Sequence, residues 1–217
     1  MRTHVIACGV LRRELERLSK EGISFTFLLQ GLHLDPAAMG RPLQEAIDAL
    51  ERTELDRVVL AYGLCSNGVA GLCARTHPLV IPRSHDCLGL LWGDPRALEA
   101  DRAREPGTYY LSRGWIEAGA APLDKLATYR GRMGDEDAEW GVREEFRHYT
   151  RLVWIETGQD PDGLFRQAAR ANAEFLGLAF ESVQGQGEFL RRLVTEPAFD
   201  GCIVVPPGER LLSGQFY

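Results

Sequence analysis

Two short, unbroken apolar runs constrain this chain most: Val58-Val59-Leu60-Ala61 and Leu79-Val80-Ile81. A strand with one wet face alternates apolar and polar residues. A run without alternation needs cover on both faces, as in a parallel sheet flanked by helices. The surrounding segments fit that reading. His4 to Ala7 reads as a strand, Val10 to Lys20 as a helix, and Ile23 to Leu29 as a second strand. Pro42 to Arg52 is a helix with Leu43, Ala46, Ile47 and Leu50 turned inward. Arg57 to Tyr62 and Leu79 to Pro82 are the third and fourth strands, and a helix runs from Cys87 to Trp92. Such alternation implies right-handed crossovers. The expected fold class is α/β: an open, mostly parallel sheet with helices on both faces, Rossmann-like, with the flavodoxin-like order 2-1-3-4.

The second half is less regular. Glu105-Pro106-Gly107 is a turn, and Thr108 to Leu111 and Arg151 to Ile155 are strands. Leu123 to Tyr129 and Asp137 to His148 are helices. Pro161 to Leu176 is a helix with Asp160 as N-cap and Pro161 at its first position. Phe180 to Val183, Glu188 to Thr195 and Cys202 to Val205 read as a final β-α-β unit. Asn67 to Arg75 reads as one or two helical turns. The expected organisation is one domain over 1–217, with sub-lobes 1–104 and 105–217 as the alternative. No internal repeat or low-complexity tract stands out.

Composition bounds the partners. The 217 residues carry a formal charge of -6, against a nucleic-acid or anionic-membrane binder, which needs a basic stripe. No apolar run approaches membrane-spanning length, and the first residues lack a secretory leader, so a cytoplasmic protein is expected. Its five cysteines then read as thiols, metal ligands or core fillers rather than bridges.

Three of these cysteines fall at equivalent places. Cys8 follows the first strand, Cys65 the third, and Cys87 the fourth by a short loop. Ligands of open parallel sheets bind outside the carboxyl ends of the strands. With the order 2-1-3-4, the three sulfurs share one rim. Three soft ligands select zinc, cuprous copper or an iron–sulfur cluster. A [4Fe–4S] cluster on three cysteines keeps one iron open, whereas three cysteines and a histidine make a closed zinc site. His33 and His85 are candidates for a fourth ligand or for acid/base work. Arg83 is a candidate anion partner, Asp86 could orient His85, and Tyr109 and Trp115 could wall a substrate pocket. Cys73 and Cys202 read as core. A metal-free thiol enzyme, with one cysteine as nucleophile, is the rival reading. Gly63, Gly68 and Gly71 allow close approach of a small-molecule ligand to the backbone. No phosphate loop, dinucleotide fingerprint, nucleophile elbow or zincin helix is present.

The segments Ala7-Cys8-Gly9, Gly31-Leu32-His33, Ala61-Tyr62-Gly63-Leu64-Cys65-Ser66-Asn67-Gly68, Ile81-Pro82-Arg83-Ser84-His85-Asp86-Cys87 and Pro106-Gly107-Thr108 through Glu117 resemble a family catalogued as domain of unknown function 1638. The likeness extends to Val204-Val205-Pro206-Pro207-Gly208. Family members often carry Cys-Gly where this chain has Cys65-Ser66, and Asn in place of Leu34. Members are common in anaerobes and methanogens, some beside corrinoid methyltransfer genes. The resemblance therefore implies a redox-metal or methyl-transfer-linked role. It also implies a corrinoid or methyltransferase protein as partner, with accessory function as a further alternative. The charged stretch Asp135 to Arg147 would then be a docking face.

Overall fold

The computed structural model describes residues 1–217 and divides into two compact units, 1–96 with 186–217, and 97–185. The first unit is built on a five-stranded sheet of order β2-β1-β3-β4-β8. Its strands are β1 (Thr3–Cys8), β2 (Ile23–Leu28), β3 (Arg57–Ala61), β4 (Leu79–Pro82) and β8 (Cys202–Val205). The first four run parallel in the order 2-1-3-4, and β8 joins β4 antiparallel, pairing Pro82 with Cys202 and Leu79 with Val205. Every residue of β3 and β4 is buried, as their unbroken apolar runs require. The helices of this unit are α1 (Arg12–Glu16), α2 (Pro36–Asp48), α3 (Leu88–Trp92) and α9 (Glu188–Thr195).

The chain enters the second unit along α4 (Pro95–Arg104). There β5 (Thr108–Leu111), β6 (Arg151–Glu156) and β7 (Ala179–Gln184) form a three-stranded parallel sheet. Its helices are α5 (Arg113–Glu117), α6 (Pro122–Met133), α7 (Asp135–Glu145) and α8 (Leu164–Leu176). Leu111, Leu152, Trp154, Ala169 and Ala173 make its core, with Tyr109 and Trp115 packed against them.

Both sheets are latched at their amino ends by the same device. Thr3 stands opposite Arg57 and Thr108 opposite Arg151. In each pair the arginine Nε donates to the threonine hydroxyl, at 3.2 and 3.0 Å. Beyond that the latches differ. Arg57 donates to the carbonyls of Leu193, Val194 and Pro197, closing the end of α9. Arg151 donates to Asp101 at 2.6 Å and Glu181 at 2.8 Å, and Asp101 also accepts the Tyr110 hydroxyl at 2.7 Å.

Several local expectations change. The helix expected over 10–20 is a 3-10 turn at Gly9–Leu11 followed by only five α-helical residues. The stretch 67–75 is turns rather than helix, because the chain enters it through three left-handed residues. The helix α8 begins at Leu164, although Asp160 still caps it by accepting the N–H groups of Phe165 and Arg166. The segments β7, α9 and β8 are not one β-α-β unit, since β7 closes the second sheet and β8 the first, antiparallel. The boundary between units falls at 96/97, and residues 186–217 return to the first.

Candidate functional site

The three cysteines sit where chain leaves the carboxyl ends of β1, β3 and β4. Cys8 is the last residue of β1. After β3 the chain turns tightly (Tyr62 N–H to Leu60 carbonyl, 2.9 Å) and runs against the loop that follows β4. Leu64 N–H donates to the Ser84 carbonyl at 2.8 Å, and Cys65 N–H to the His85 carbonyl at 2.9 Å. Contact is so close at Gly63 that any Cβ there would overlap the backbone of Asp86. The Asp86 carboxylate accepts Leu88 N–H at 2.9 Å and so starts α3, while Ser84 Oγ donates to the Asp86 carbonyl. This folded loop carries Cys87 towards the edge that holds Cys8, although their strands are separated by β3. The two thiols are close enough to shift one another, and Cys65 is close enough for charge to act between it and Cys87.

The electrostatics follow from that packing. The neighbouring Cys87 thiol holds Cys8 below its ordinary range, against the effect of burial. Cys8 in turn, then burial, pushes Cys87 well up. Burial, then Asp86 and Cys8, pushes Cys65 up to about 12. Negative charge at any one sulfur therefore opposes charge at the others.

Tyr62 completes the cluster and went unnoticed in the sequence. It is 2 % exposed, its hydroxyl has no hydrogen-bond partner, and all three cysteines act on it. Burial keeps its phenol protonated far above the ordinary range. The available signal was an aromatic residue between a buried strand and the glycine of Tyr62-Gly63-Leu64-Cys65. Strain is stored in the same loop: Cys65, Ser66 and Asn67 have φ of 47, 55 and 68°. Consecutive left-handed non-glycine residues persist only when surrounding structure holds them.

The other candidate residues scatter. His33 lies half-buried in a 3-10 turn, its Nδ1 2.6 Å from the Gln30 carbonyl. His85 is exposed, with its ring 5.7 Å from that of Tyr217. Arg83 donates to the Gln215 carbonyl. One oxygen of the Asp86 carboxylate accepts the Leu88 N–H at 2.9 Å. Tyr109 and Trp115 pack in the core of the second unit, where the Tyr109 hydroxyl donates to the Ala120 carbonyl at 3.1 Å. Cys73 is buried with its thiol on the Ala74 carbonyl, and Cys202 is half-buried, pushed up to about 11 by burial. No three His, Cys, Asp or Glu side chains are already drawn in as a metal-ligand set. No helix is long and apolar enough to cross a membrane.

No curated protein and no solved structure matches the chain. A family model matches residues 27–194, a span that holds Cys65 and Cys87 and starts beyond Cys8. With most of its length matched, the chain belongs to the family described as Protein of unknown function (DUF1638).

Proposed function

We propose that the first unit binds a soft metal, as a zinc ion or a [4Fe–4S] cluster, through Cys8, Cys65 and Cys87. One observation carries the reading. A buried tyrosine hydroxyl without a hydrogen-bond partner lies near enough to cysteines from three different strand ends for their charges to act on it. Buried polar groups are nearly always paired, and an orphan one invites a bound group. Mutual repulsion makes three thiolates untenable together, and a soft cation removes that penalty while binding all three. The Tyr62 hydroxyl, kept protonated by burial, would supply a hydrogen-bond donor beside the bound group. Three protein ligands leave that position open, the arrangement of a reactive rather than a structural centre. A redox or methyl-transfer-linked role, with a small-molecule or corrinoid-protein partner at this edge, is the function consistent with it.

The test is purification without oxygen, with elemental analysis and an absorption spectrum before and after reconstitution with zinc or with iron and sulfide. The reading expects one zinc, or about four iron and four sulfide, per chain, and loss of binding in Cys65→Ser. Substoichiometric metal in both preparations overturns it.

The place of Cys8 at the carboxyl end of β1, together with its lowered thiol pKa, favours one second reading, a metal-free thiol transferase with Cys8 as nucleophile. Rapid single-site alkylation at Cys8 in protein free of metal supports it, and uniform slow alkylation of all three thiols counts against it.

A further inference from the structure

We propose that the free edge of β2 pairs with the same edge of a second copy of this chain, giving a two-fold dimer on one continuous sheet. The strand is the outermost of the first sheet, bonded to β1 on one side and to no strand on the other. Such an edge offers a row of unpaired N–H and C=O groups, and soluble proteins blunt it with charge, proline or a bulge. None of these devices is present in β2. Its sequence is Ile-Ser-Phe-Thr-Phe-Leu, and its register with β1 is unbroken from Thr3–Ile23 to Cys8–Leu28. No Asp, Glu, Lys, Arg or Pro occurs from Ile23 to Leu34. No residue of the strand is fully buried. The Phe25 and Phe27 rings stack at 5.7 Å, and Leu29, just past the strand, is 82 % exposed.

A second copy is the occupant that the strand itself selects. Thr3 lies opposite Ile23, and its N–H donates to the Gly22 carbonyl at 2.8 Å. In a parallel ladder Gly22 and Ser24 therefore turn their main-chain groups towards β1. Alternation turns Thr26 and Leu28 the same way and leaves Phe25 and Phe27 presenting N–H and C=O outward. An antiparallel copy satisfies both residues when Phe25 stands opposite the partner's Phe27, because such pairs exchange both bonds. Thr26 then lies beside the two-fold axis, opposite the partner's Thr26. Phenylalanines meet on one face of the seam, a favourable cross-strand pairing. Ser24 and Thr26 line the other face, where His4 lies 2.7 and 2.9 Å from their hydroxyls. Charge points to the same edge. A chain of formal charge -6 repels its copy over most of its surface, and this seam carries no charged residue. Arg12, 4.2 Å over the Phe27 ring, is paired with Glu16. The reversal of strand direction points the two thiol edges opposite ways, so the dimer does not depend on the metal reading.

The experiment uses the full chain. Light scattering and sedimentation velocity should return twice the chain mass. Thr26→Cys should cross-link the dimer under a mild oxidant, with peptide mapping joining the two introduced thiols, because that pair stands about 4.5 Å apart at Cα. Ser24→Cys, opposite the partner's Leu28 rather than its own copy, should not cross-link. Phe25→Lys keeps the β1 side of the strand and should weaken the dimer about tenfold or more, since the two-fold puts the substitution at the seam twice. Circular dichroism checks that this variant folds, and if it does not, the two cysteine variants decide alone. A monomer at every concentration reached overturns the proposal. So does a dimer in which Thr26→Cys gives no link between the introduced thiols, or in which Ser24→Cys links as readily. A folded Phe25→Lys dimer as tight as the parent overturns it as well.

Discussion

The two units share an amino-end latch and differ at the opposite edge. In each, a buried arginine at the start of one strand bonds a threonine at the start of its neighbour. In the second unit that network closes on itself: Arg151 is neutralised by Asp101 and Glu181, and Tyr110 donates to the same Asp101. At the carboxyl edge of the first unit the accounting is left open. Tyr62 has an unmet hydroxyl on which the charges of three cysteines act, and the backbone at 65–67 is strained. Satisfied polar networks stabilise a fold, whereas unsatisfied and strained ones mark where function is held at a cost in stability. The amino-end networks therefore read as structure and the thiol edge as a site.

The largest expected effect tests the latches against each other. Arg151→Ala leaves Asp101, a nearly fully buried carboxylate, without its buried cationic partner and should cost about 3 kcal/mol. Arg57→Ala leaves carbonyls at the end of α9 without their donor and should cost less, about 1–2 kcal/mol. Urea unfolding of the two variants checks the order, and an equal or reversed order breaks the distinction between a carboxylate latch and a carbonyl latch.

The next effect belongs to the thiol edge. Cys65 has a raised folded-state pKa, about 12 against an ordinary 9.0, so folding favours its neutral form. That contribution is complete below pH 9 and is lost as pH rises towards 12. Stability should fall by about 1–2 kcal/mol between pH 9 and 10.5, and Cys65→Ser should flatten the decline. Denaturation curves at a series of alkaline pH values measure it, and a Cys65→Ser profile that matches the parent protein removes Cys65 from the account.

The smallest effect concerns strain. Ser66 sits at φ 55° with no glycine to relieve it. Ser66→Gly should stabilise by about 1 kcal/mol, and Asn67→Gly by only a few tenths, because asparagine tolerates the left-handed region better. A destabilised Ser66→Gly would show that the flexibility glycine adds to the unfolded chain outweighs the strain it removes.

Much of the fold was legible. The runs Val58–Ala61 and Leu79–Ile81 are buried on both faces, and the expected flavodoxin-like order 2-1-3-4 is the one observed for the parallel strands. The strand Thr108–Leu111 and helix Glu188–Thr195 have the limits their patterns suggest. The return of 186–217 to the first unit was not legible, because hydrophobic periodicity names an element and says nothing about which sheet edge it joins. The turn at 65–67 was missed for a related reason: Ser66 and Asn67 resemble helix-start residues until backbone contacts force positive φ. The places of Cys8, Cys65 and Cys87 after strands β1, β3 and β4 are legible from the pattern alone, but the unpartnered hydroxyl of Tyr62 is not, since an aromatic residue after a strand usually joins the core.

By itself the amino-acid sequence determined the parallel sheet, the places of the three cysteines at strand ends, and the glycine that lets two loops touch. These rest on local pattern and on the fixed geometry of crossover connections. Only the tertiary structure decided that the loop after β4 lies against the loop after β3, that the Tyr62 hydroxyl has no partner, and that three residues twist left-handed. Each of these depends on contacts between segments distant in the chain, where packing of one loop on another overrides the preferences of the residues within it.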